Sequence, residues 1–115
     1  MPVDFYEDLK SAYEAFDQKK YSKTLEILNE LSPETNEVIL LKGATYFQQK
    51  DSEKAIENFQ KIDSQTSEND EAKWYLALSY LQKNDIENAR PILESIIQKK
   101  TWQHQKADEI LRELE

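Results

Sequence analysis

His104 is the only histidine in the chain, and there is no cysteine. Acid–base or nucleophilic work at His104 would need a partner nucleophile or further metal ligands, and neither a thiol nor a second imidazole is present. Carboxylates are abundant: there are 23 Asp and Glu residues, and a trio such as Asp4, Glu7 and Asp8 could in principle form an acid pair or a metal site. Their positions instead suit solvated helix faces and helix N-termini, where the dipole favours anions. Glu57 and Lys61 stand at the spacing of a stabilising i, i+4 pair. With one glycine there is no phosphate-cradling loop. The sequence therefore shows no catalytic constellation. No catalytic or metal residues and no cofactor are expected, and an enzyme is the last of the readings.

The bulk chemistry narrows the partners. The net charge of −8 repels nucleic acid. A basic or apolar protein partner suits such a surface better than an anionic one. No apolar run approaches a membrane span. The opening MPVDFYEDLK is acidic and has no apolar core, unlike a signal peptide. A cytoplasmic setting is expected on that basis.

The elements that carry the side chains repeat. At a spacing of 34, Gly43 matches Ala77, Tyr46 matches Tyr80, Asp51 matches Asp85, Ala55 matches Ala89 and Phe59 matches Leu93. An earlier copy lies 31 residues upstream, with Ala12 on Gly43, Phe16 on Phe47, Thr24 on Ala55 and Leu28 on Phe59. Leu, Ala, Glu, Lys and Gln dominate and are helix formers, while three prolines and one glycine leave little material for hairpins. An all-α protein follows.

Each copy reads as a helix pair, with first helices at 4–18, 35–49 and 68–83 and second helices at 22–31, 52–63 and 86–99. Ser32 is the expected cap before Pro33 at a first helical position. Asp51 and Asp85 stand where second helices begin, and lysines gather at helix ends. Pro91 conflicts with a helix from Ile86, so that helix either starts late or kinks. A stripe of Ala107, Ile110, Leu111 and Leu114 makes residues 101–115 a seventh helix, with Thr101 as its cap. Two antiparallel helices approach closely where Gly43 or Ala77 meets Ala55 or Ala89. A lone pair cannot bury its apolar faces, so the pairs must stack.

At these residues the chain resembles the tetratricopeptide repeat family. The period, the small residue of the first helix (Ala12, Gly43, Ala77), its tyrosine (Tyr46, Tyr80), the small residue opening the second helix (Ala55, Ala89) and the later large one (Phe59, Leu93) all agree. Thr24 and Ala15 depart from the pattern in the first copy, Leu31, Ile62 and Ile96 replace a small residue, and Trp74 lies one place late. The resemblance implies a right-handed α-solenoid of three antiparallel helix pairs with a seventh capping helix. It is read here as a single domain over 1–115, with repeats at about 5–33, 35–65 and 68–99 and the cap at about 101–115.

What the resemblance implies about function is a non-catalytic scaffold for protein–protein interaction, binding a peptide along first helices that line a concave face. The expected groove residues are Tyr6, Leu9, Tyr13 and Phe16, then Leu40, Ala44, Phe47 and Gln48, then Trp74, Tyr75, Leu78, Leu81 and Gln82. The competing reading of each is packing between adjacent pairs. Family members that grip a C-terminal carboxylate carry Lys, Asn and Arg where this chain has Leu9, Tyr13, Leu40, Ala44 and Tyr75, which argues against that mode. The alternatives are a self-association module, giving a homo-oligomer, or a fragment of a larger multidomain protein.

Overall fold

A computed structural model describes residues 3–115, which form seven helices and, among these residues, no strand. They are α1 (Val3–Asp17), α2 (Tyr21–Glu30), α3 (Asn36–Gln48), α4 (Ser52–Gln60), α5 (Asn69–Gln82), α6 (Ile86–Lys99) and α7 (His104–Leu114). Consecutive helices pack as pairs α1–α2, α3–α4 and α5–α6, and α7 closes on α6. α1 also meets α3, and α3 meets α5, whereas α2, α4 and α6 make no such contact with one another. The first helices therefore crowd together on the inner side and the second helices splay outside, a helical-repeat solenoid measuring 48 × 27 × 20 Å.

Small residues set the crossings. Ala12 and Ala77 are fully buried, as are Leu28 and Leu93 on the facing second helices, while Phe59 is 3% exposed. Where Phe59 takes the large position, glycine takes the small one: a Cβ on Gly43 would stand 2.6 Å from the Phe59 ring. Leucine leaves room for alanine, phenylalanine does not. Three core clusters follow the pairs, one around Leu28 and Val38, one around Phe59 and Ala72, and one around Trp74 and Leu93. Buried hydroxyls bond back along their own helices: Thr24 to the Lys20 carbonyl (2.9 Å), Thr45 to Leu41 (2.6 Å) and Ser79 to Tyr75 (2.7 Å).

The helix starts follow the sequence in two places and depart in two. Asp51 accepts from the Lys54 amide (3.3 Å) and Asp85 from the Asn88 amide (3.2 Å), as caps should. Hydrogen bonds from the Asn88 side chain and backbone hold the Asp85 carboxyl below its usual range. Ser32 does not cap. Thr35 takes that place, accepting from the Val38 amide at 3.2 Å, so Pro33 lies before the helix, after a cis Ser32–Pro33 peptide bond. Thr101 does not cap α7 either: its hydroxyl reaches back to the Ile96 carbonyl at the end of α6, and α7 starts only at His104.

Helix ends hold a further surprise. Lys19, Lys50, Asn84 and Lys100 all take left-handed backbone, with φ of 62°, 63°, 63° and 53°. At each, the next residue's amide bonds five residues back, as in Lys20 to Ala15 (2.8 Å) and Asp51 to Tyr46 (2.9 Å). This is the usual glycine-closed helix end built without glycine. The lysines thus serve as stop residues as well as cations near the C-terminal dipole. α6 begins at Ile86 and runs through Pro91, which removes the late-start alternative. α4 ends at Gln60, short of 63, with Lys61 as its C-cap. The expected Glu57–Lys61 ion pair does not form.

Candidate binding cleft on the inner helix face

The layer of first helices opens into a cleft of about 280 Å³ lined by Tyr13, Phe16 and Asp17 of α1, Leu40, Leu41 and Ala44 of α3, and Glu71 and Tyr75 of α5. Three helices that are far apart in sequence supply its walls, so it exists only because the pairs stack. Its lining combines four apolar side chains with two phenols and two carboxylates. Tyr13 is 39% exposed, a large amphipathic ring open to solvent at the mouth. Partial burial, followed by the charges of Glu37, Glu71 and Glu68, pushes its phenol up to about 12. Burial and Glu71 raise the Tyr75 phenol in the same direction. The mouth is therefore a region of negative potential.

Tyr75 is the hub of an aromatic strip. Its ring stacks on Phe59 (5.9 Å between centroids, 19° between planes), meets Phe47 edge-on (6.1 Å) and leans on Trp102 (6.2 Å). Trp102, in the link between α6 and α7, is 46% exposed and lengthens the strip beyond the cleft.

Of the residues singled out from sequence, Tyr13, Phe16 and Leu40 meet in the cleft, together with Ala44 and Tyr75. The others do not. Leu9 (6% exposed) belongs to the core beneath α1, packed with Phe5, Ala12, Leu28, Val38 and Leu41. Trp74 (6% exposed) turns away from the inner face into the core with Leu93, Ile96 and Ala107. Leu78 and Leu81 pack against that same cluster. Gln82 is tied between elements: its amide donates to the Phe47 carbonyl (3.1 Å), and its oxygen accepts from Ser52 (2.6 Å). Gln48 is exposed outside the cleft, Phe47 meets Tyr75 edge-on without lining the cleft, and Tyr6 (63% exposed) stands edge-on to Phe5, away from it.

Asp17, Glu71 and Trp102 were not anticipated. The first two were findable: Asp17 follows Tyr13 by four residues and Glu71 precedes Tyr75 by four, so each shares its tyrosine's helix face. Trp102 sits in a link whose path depends on tertiary packing, and no local pattern marks it.

Among the described residues, no group of three or more His, Cys, Asp and Glu side chains could hold a metal ion, and no helix is long and apolar enough to cross a membrane. His104 is half-buried at the first position of α7. The family model for the tetratricopeptide repeat matches residues 46–101, from the end of α3 to just past α6. Among curated proteins none matches the chain.

Proposed function

Because the chain belongs to the tetratricopeptide repeat family through residues 46–101, we propose that it is a non-catalytic scaffold that holds an extended segment of a protein partner in the cleft between α1, α3 and α5. Repeats of this family generally mediate protein–protein contact. The observation that carries the finer reading is the cleft itself: half-exposed aromatic side chains beside apolar ones, at the inner layer where consecutive pairs meet. Tyrosine and tryptophan in such a place supply large contact area at low entropy cost. The cleft is too small to seat a whole helix, about 10–12 Å across with its side chains. It suits one or two side chains of an extended peptide. The excess of carboxylates around Tyr13 favours a partner with apolar anchors and basic flanks.

A photo-reactive amino acid placed at Tyr13 is expected to capture a partner protein in the native cell, while the same group at Glu26, exposed on α2, captures little. Equal capture at both positions, or none at Tyr13, would move the binding surface elsewhere. Capture of a second copy of the chain at Tyr13 would favour self-association.

A further inference from the structure

Resting on the cleft reading above, we propose that the occupant enters by an arginine side chain, its stem along Leu40, Leu41 and Ala44 and its guanidinium between the Tyr13 ring and the carboxylates of Asp17 and Glu71. Three observations carry this. The lining holds two carboxylates and no cation. The ion pairs of the described residues lie elsewhere, at Glu34–Lys42, Glu53–Lys83 and Asp108–Arg112, so Asp17, Glu37, Glu68 and Glu71 have no cation of their own. The lining combines apolar side chains of α3 with a phenol ring and two acids from α1 and α5, which matches the make-up of an arginine: an aliphatic stem ending in a planar cation.

Energetics favours this occupant over an apolar one. A leucine filling the cleft would cover part of Asp17 and Glu71 and give their carboxylates nothing in return. A guanidinium offers five donors, bonds two carboxylates at once and lies well over an aromatic ring. Lysine carries the charge but neither the plane nor the fork, and its ammonium is more strongly hydrated.

The test uses fluorescent decapeptide mixtures, randomised around a fixed central residue, titrated against the full chain by anisotropy. The central residue is arginine, lysine, leucine or citrulline, the neutral near-isostere of arginine. The arginine mixture is expected to bind about tenfold more tightly than the citrulline mixture, as a desolvated charge-assisted contact should. Asp17→Asn with Glu71→Gln should erase that difference and let the leucine mixture bind as tightly as before or more tightly. Circular dichroism of the double variant checks that its helices persist. Equal binding of the arginine and citrulline mixtures, with both weakened by Tyr13→Ala, overturns the arginine inference and leaves the cleft reading standing. Binding of every mixture that ignores Tyr13→Ala, or no binding at all, overturns both. A chain that self-associates at the titration concentration and hides Tyr13 overturns both as well.

Discussion

The two joints between successive helix pairs are built differently. At the second joint, α4 against α5, side chains cross with polar bonds: Gln82 holds the Phe47 carbonyl and accepts from Ser52, and Gln60 donates to the Tyr80 hydroxyl at 3.1 Å. The Phe59–Tyr75–Phe47 cluster reinforces it. At the first joint, α2 against α3, contact rests on apolar packing of Leu28, Val38 and Leu41 with Ile27 and Leu31 beside them. Tyr21 stands where the next pair has Ser52, and its ring goes to Phe16 (5.6 Å). Gln48, the counterpart of Gln82, is left exposed without a hydroxyl to bind. Directional bonds fix a register, whereas apolar contact is non-directional. The cleft spans both joints. Its α3–α5 wall is tied by directional bonds, and its α1 wall is held by apolar contact.

The largest expected effect breaks the tied joint. Phe59→Ala removes the ring that fills the space over Gly43 and supports Tyr75, and should cost about 3–5 kcal/mol in urea unfolding. A cost below about 1 kcal/mol would mean the cluster is not packed as described. Next comes the glutamine pair. Gln82→Ala leaves the buried Ser52 hydroxyl without its acceptor and takes one of two donors from the Phe47 carbonyl, which keeps the Lys50 amide (3.0 Å), and should cost about 1–3 kcal/mol. Gln48→Ala should stay within about 0.5 kcal/mol. Equal costs would erase the difference between the joints.

The volume exchange between copies gives a coupled test. Gly43→Ala drives a methyl into Phe59 and should destabilise by about 1–2 kcal/mol after the gain in helix propensity. In a Phe59→Leu background the same change should be neutral or stabilising, because the site then matches Ala12–Leu28 and Ala77–Leu93. Additive costs would contradict the packing argument.

Lys50→Gly, at a left-handed helix end, should stabilise by up to about 1 kcal/mol by relieving the side chain's conflict with positive φ.

The smallest signal reports whether the first joint stays closed. The Tyr13 phenol is pushed up to about 12 by burial and by acids on α3 and α5. If α1 keeps its place, ultraviolet titration should find one tyrosine ionising near that value, and Glu71→Gln should bring it down. A raised folded-state value means that the folded state disfavours the phenolate. Its contribution to stability is whole below the unfolded value near 10 and is lost as pH rises toward about 12. Titration of Tyr13 at the ordinary value would mean that α1 swings away from its neighbours.

The pairing and stacking were legible because the small–large exchange recurs at a fixed spacing, and each such position is fully enclosed by its neighbours. The cleft was only partly legible. α3 and α5 are apolar on several sides, since each touches its own partner, the adjacent pair and the inner face. A 3.6-residue stripe does not distinguish core from groove there, and Trp74 fell on the wrong side; Leu9 did so on α1, which packs on both α2 and α3. Gln82 looked like a groove residue because its serine is 30 residues away. Thr35 and Thr101 depended on where the chain re-enters a helix, and local composition does not determine that.

The most direct test of the proposal that the cleft binds a peptide is chemical-shift mapping of the nitrogen-15-labelled chain as the arginine-centred peptide mixture is added. The account requires the largest shifts at Tyr13, Ala44, Glu71 and Tyr75, with α2, α4 and α6 nearly unmoved. Shifts concentrated on the outer helices, with the amides of the cleft unchanged, would contradict it.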